Sequence, residues 1–284
     1  MRKLIAIGLI ALLCSGTVFA NTGVAFVHGT SEQTDALNDY WKPEFVNSVR
    51  QGLPNSANFV VVNCDFSQFM WTADAAGCLA GTLSNFITSR NITDLVVITH
   101  SNGSNVMRWI LSNPTWDSRY PLIIDRIRWV NAVAASSLGT PLANAVMQGT
   151  VFESILGWIL GFQNDAVRMQ QTSWMAFYNA NWLLGTAARP ALPVGFWNVV
   201  GTDVSSFIFN QSGLCGGLQF QVALEITQAW LDNCSDGFLE CTSQNGAGSL
   251  WFVDTWATNR GRVLSHHQSR RACHDLDVIL RNDL

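Results

Sequence analysis

Short apolar runs, bounded by turn-forming residues, recur along this chain. Gly23 to His28 (GVAFVH), Asn58 to Asn63 (NFVVVN), Asp94 to Thr99 (DLVVIT) and Ile127 to Ala134 (IRWVNAVA) are continuously apolar rather than alternating. Runs of that length and texture read as strands buried on both faces. Gly195 to Val200, Leu250 to Asp254 and Arg262 to Leu264 are later candidates. Between them, Ala75 to Ser89 places Leu79, Leu83 and Phe86 at helical spacing, and Asn102 to Ser112 reads as a helix stopped near Pro114. Arg270 to Leu280 reads as a final helix. Strands alternating with helices predict an α/β domain over residues 21–284, with a mostly parallel central sheet and helices on both faces.

Residues 140–193 break this rhythm. Val151 to Phe162 (VFESILGWILGF) is apolar nearly all round, and Ser173 to Leu184 (SWMAFYNANWLL) adds Trp174, Phe177, Tyr178 and Trp182. The stretch lies between sheet strands and is expected to form an inserted helical cap over an apolar pocket. Two ordinary core helices are the alternative.

The start of the chain has the pattern of an export signal. Arg2 and Lys3 precede an apolar run from Leu4 to Leu13, and Val18-Phe19-Ala20 supplies the small residues of a cleavage site. The run is shorter than the ~20 residues a membrane-spanning helix needs. A mature chain beginning near Asn21, secreted or periplasmic, is expected. The cysteines agree. Of seven, Cys14 falls in the leader, and the even set that remains reads as disulfides in an oxidising compartment. Closeness in sequence favours Cys64–Cys78 and Cys234–Cys241, leaving Cys215–Cys273.

Charge narrows the function. Charged residues make up 13% of the chain, and sixteen Lys and Arg face twenty Asp and Glu for a net charge of −4. No basic face is apparent for nucleic-acid phosphates, so nucleic acid is not an expected partner.

The chemistry concentrates after the third strand. Val96 to Gly103 reads VVITHSNG, with Ser101 directly between a buried strand and a helix, the setting of a nucleophile elbow. Neighbours two residues either side of such a turn must be small. Gly103 complies, whereas Thr99 stands where a Gly is usual. The tetrahedral oxyanion of an acyl transfer needs two N–H donors. Asn102, after the nucleophile, offers one, and Thr30, after the His28-Gly29 strand end, offers the other. His28 itself is expected to be structural. The general base is expected at His267, in the loop after the last strand, with His266 as the alternative. Asp236, in NCSDGFLEC, and Asp203 compete to be the acid that orients it.

These motifs resemble those of secreted bacterial-type triacylglycerol lipases and esterases of the α/β-hydrolase superfamily. His28-Gly29-Thr30 resembles their oxyanion loop, Thr99 to Gly103 their elbow, and Leu138 to Ala143 their turn after the next strand. Ser235 to Leu239 resembles the Asp-Gly segment bearing their acid, which favours Asp236 over Asp203. The resemblance implies an α/β-hydrolase fold with a helical cap. It also implies a Ser101–Asp236–His267 triad, apolar acyl esters as substrates and transient contact with a lipid interface. No cofactor is implied. A calcium site is not carried over, because Ser269 and Arg270 follow the His. A phospholipase or acyltransferase would use the same machinery, and a catalytically silent binding protein would keep the fold without it.

Overall fold

The computed structural model describes residues 20–149, 163–204, 215, 217–255, 262–272 and 274–284. Six strands form one sheet: β1 (Thr22–Val27), β2 (Phe59–Val61), β3 (Asp94–His100), β4 (Ile127–Val133), β5 (Gly195–Val200) and β6 (Ser249–Val253). Their order is β2-β1-β3-β4-β5-β6, and every neighbouring pair is parallel. β1 is buried throughout, and successive side chains serve opposite faces, as the pleat requires. Ala25 and Val27 join a core with Leu83, Ile87 and Ile110, while Val24 and Phe26 join a second core with Phe45, Val49 and Leu280. The first core packs under helices α2 (Cys78–Arg90), α3 (Gly103–Ser112) and α4 (Tyr120–Arg126), and the second under α1 (Pro43–Arg50) and the last helix (Leu276–Asp283).

The winding locates the site. From β1 the chain moves outward to β2, then returns past β1 to β3 and proceeds the other way to β6. The carboxyl ends of β1 and β3 therefore flank the point where strand order reverses, where open α/β sheets hold ligands. Those ends carry His28-Gly29-Thr30 and His100-Ser101-Asn102.

Two expectations from the pattern do not hold. Arg262 to Leu264 forms no strand, because the Leu264 N–H donates to the Asp254 carboxylate rather than to a neighbouring strand. The final helix starts at Leu276 rather than Arg270. A 3-10 turn over Gln268–Arg270 comes first, and Asp275 at φ 61° interrupts the path between them.

In the expected cap region, helices run over Pro141–Met147, Asp165–Met169 and Thr172–Asn181. The expected helix over Val151–Phe162 lies outside the described residues. Disulfides join Cys64 to Cys78 and Cys234 to Cys241, and Cys273 of the expected third pair lies outside the described residues.

Candidate active site

Ser101 sits at φ 53°, in the left-handed region that non-glycine residues rarely adopt. Its N–H donates to Val133 O at 3.0 Å, which anchors the strained turn to β4. A Cβ at Gly103 would lie 2.1 Å from His28 O, so only glycine lets α3 leave the elbow this close to β1. Thr99, the departure on the strand side, is fully buried, and its hydroxyl hydrogen-bonds Ser104 Oγ at 2.7 Å. The larger side chain is thus accommodated by a polar partner on the first turn of the helix.

Gly29 is also demanded by a close approach. A Cβ there would meet Tyr40 Oη at 2.4 Å and Ser101 Cβ at 2.9 Å. This brings Thr30 beside the serine, and Thr30 Oγ1 accepts from Gln170 Nε2 at 2.9 Å. Asn102 is the N-cap of α3, and the first N–H groups of a helix have no intrahelical acceptor.

Asp236 is fully buried in a tight turn braced by the Cys234–Cys241 bridge. Its Oδ1 accepts from the Phe238 and Leu239 N–H groups at 2.9 and 2.7 Å. Its Oδ2 accepts from His266 Nδ1 at 2.8 Å. The His266 backbone N–H also donates to Asp236 O at 2.9 Å, so main chain and side chain fix one register.

His267, the preferred base of the sequence reading, is placed differently. Its ring stacks on Phe220 with centroids 4.1 Å apart, and its Nε2 accepts from Arg270 Nη2 at 2.9 Å. Its buried Nδ1 makes no hydrogen bond, so neither ring nitrogen meets Asp236. Burial, then the Arg270 charge, holds its pKa well below the ordinary histidine value. The alternative, His266, is the histidine that pairs with the acid. Among the acids, Asp203 is exposed and accepts from Gln228 Nε2 at 2.7 Å and from Val204 N–H at 2.8 Å, a surface turn apart from the histidines.

The two remaining histidines around the elbow are structural. His28 donates from Nδ1 to Gly29 O at 2.8 Å and accepts from Cys64 N–H at 3.4 Å. Burial lowers its pKa to about 4. His100 accepts from Tyr40 Oη at 2.6 Å and presents Nε2 to His266 O at 2.9 Å. Burial and the neighbouring cations push its pKa well down, and the neutral ring pins the backbone of His266.

Ser101, Thr30, Tyr40, Phe238, His266, His267 and Arg270 line one cavity of about 40 Å³. Tyr40 and Arg270 lie outside the motifs of the sequence. The Arg270 guanidinium lies 4.0 Å over the Tyr40 ring and donates to Tyr40 O. Nothing local in the sequence marks Tyr40, whereas Arg270 lies one helical turn beyond the two histidines, the spacing that puts side chains on one side.

No family model matches the chain, and no curated protein matches it by sequence. Solved structures do match. The mature form of lipase BlEst2 from Bacillus licheniformis superposes with a TM-score of 0.64 at 17% identity, over 92% of this chain and 91% of that one. A propeptide form of BlEst2 gives 0.59 at 16% identity, over 92% of this chain and 50% of that one. Lipase 1 from Pelosinus fermentans gives 0.53 at 12% identity, over 92% and 99%. At these identities the likeness is one of fold, and the fold is that of the α/β hydrolases.

Proposed function

We propose that this protein is an exported serine carboxylic-ester hydrolase, of the lipase and esterase kind, acting on esters with apolar acyl groups. One observation carries the reading. A histidine held by a buried carboxylate lines the same small cavity as a serine on a strained strand-to-helix turn. That is the arrangement of nucleophile, base and orienting acid used for acyl transfer.

In this reading Ser101 Oγ attacks the ester carbonyl while His266 Nε2 takes its proton. Asp236 holds the proton on Nδ1 and stabilises the imidazolium that forms. The Thr30 and Asn102 N–H groups receive the oxyanion. His266 then protonates the leaving alcohol, and water, deprotonated by the same histidine, releases the acid. Apolar side chains on the helix Thr172–Asn181 and just beyond it, with Trp174, Phe177 and Trp182 half-exposed, suit an acyl chain or a lipid surface better than a small polar ester. Two disulfides fit an oxidising compartment, and among the described residues no helix is long and apolar enough to cross a membrane.

The test is covalent labelling by an alkyl phosphonate, together with a p-nitrophenyl ester chain-length series on wild type and Ser101→Ala. Labelling at Ser101 and loss of turnover in the variant are expected. Near-wild-type turnover in folded Ser101→Ala would overturn the reading.

A further inference from the structure

A second cavity, of about 260 Å³, is lined among the described residues by aromatic rings alone: Trp71, Trp109, Trp116, Tyr178 and Trp182. Among the described residues it shares no lining residue with the cavity at Ser101. Trp109 stands two turns along α3 from the elbow, about 12 Å along the helix axis at ~1.5 Å per residue.

The rings come from four separate segments and do not form a flat platform. Trp71 meets Trp109 at 5.6 Å with an interplanar angle of 48°, and Tyr178 at 5.3 Å and 58°. Trp109 meets Trp116 at 5.1 Å and 85°, and Trp182 at 6.2 Å and 37°. The planes thus turn around the cavity and form a box. Trp109 and Tyr178 form its buried part, while Trp116 and Trp182 remain half-exposed at its rim.

The chemistry of the walls selects the occupant. Aromatic faces carry negative quadrupole potential and attract cations, most strongly for indole. Among the described residues no carboxylate lines the box, so an ordinary ammonium would surrender its hydration without gaining an acceptor. Asp117 and Arg119, which line an adjoining cavity with Trp71 and Trp116, cancel in an ion pair at 2.6 Å. A sugar would find few partners for its hydroxyls there. A quaternary ammonium meets every condition: it is cationic, donates no hydrogen bond and presents methyl groups to the rings. We propose that this aromatic box is a binding site for a trimethylammonium group, carried either by a free small cation or by a lipid headgroup.

The test measures binding of choline, tetramethylammonium and the neutral carbon isostere dimethylbutanol by calorimetry and tryptophan fluorescence. Choline is expected to bind about tenfold more tightly than the neutral isostere, as desolvated cation–π attraction implies. Trp116→Leu and Trp182→Leu, both at half-exposed positions, should each weaken choline binding several-fold, with circular dichroism and melting temperature checking the fold. Retention on phosphatidylcholine but not phosphatidylglycerol vesicles, competed by choline, supports the site with a lipid headgroup as occupant. Saturable choline binding without such retention supports it with a free cation. Equal affinity for choline and the isostere would overturn the proposal. So would an absence of saturable choline binding, or binding unchanged in both tryptophan variants. None of these results depends on Ser101, so the hydrolase reading stands or falls separately.

Discussion

His266 donates from Nδ1 to the carboxylate of Asp236 at 2.8 Å, with both side chains buried, while the adjacent His267 turns to Phe220 and Arg270. Consecutive side chains on a tight turn point in different directions, and here that divergence separates a proposed base from a packing residue. His266→Ala is therefore expected to lower kcat by several powers of ten, as loss of a triad member does. His267→Ala should retain most of the activity. Steady-state kinetics on one soluble ester decide it, and a dead His267→Ala beside an active His266→Ala would reverse the assignment.

The acid is separable in the same way. Asp236→Asn should reduce kcat by about 10⁴, because the amide favours the wrong histidine tautomer. Asp203→Asn, on the surface, should change it little. Comparable losses in both variants would show that the effect is not one of histidine orientation.

Gly103→Ala should destabilise the protein severely, since the added Cβ would meet His28 O at 2.1 Å. Neither strand β1 nor the strained elbow can yield without disturbing Ser101, and a cost of at least ~2–3 kcal/mol is expected. A melting temperature within a degree or two of wild type would contradict the packing.

The Cys234–Cys241 bridge closes a loop of separation 7 around Asp236. Chain entropy for so short a loop gives about 2–3 kcal/mol. The double variant Cys234→Ser/Cys241→Ser should lose stability of that order and lose kcat before it loses its fold, because the Asp236 turn loosens first. Chemical unfolding and kinetics on the same preparation measure both; unchanged kcat would show that the hydrogen bonds of the turn suffice.

Acid should weaken the fold. Burial depresses His28 from 6.5 to about 4, and holds His100 and His267 well below the ordinary value. A histidine whose folded pKa is depressed contributes stability above its unfolded pKa and loses it as pH falls through the folded value. The His28 contribution is therefore complete above about pH 6.5 and fades toward pH 4, on the order of 3 kcal/mol in all. Melting curves from pH 7.5 to 4 should fall with a slope that His28→Gln reduces. An identical pH profile in the variant would remove His28 as a source.

The apolar runs by themselves determined the sheet. Strands such as DLVVIT are buried on both faces, and their unbroken hydrophobicity is a local property visible in any window of the chain. The elbow was legible for the same reason, since strand, serine and Gly103 are contiguous. So were the two short-range disulfides. The last β-like run misled because its edge bonds to a side chain, Asp254, which no periodicity reveals. Only tertiary structure shows which of His266 and His267 pairs with Asp236. They are adjacent in sequence and equal in chemistry, and what separates them comes mostly from distant parts of the chain: Asp236 binds one ring and His100 pins its carbonyl, while Phe220, with the nearby Arg270, holds the other. The aromatic box was equally hidden, because its rings are spread between Trp71 and Trp182 along the chain and converge only when helix Thr172–Asn181 lies against α3 and the loop carrying Trp71.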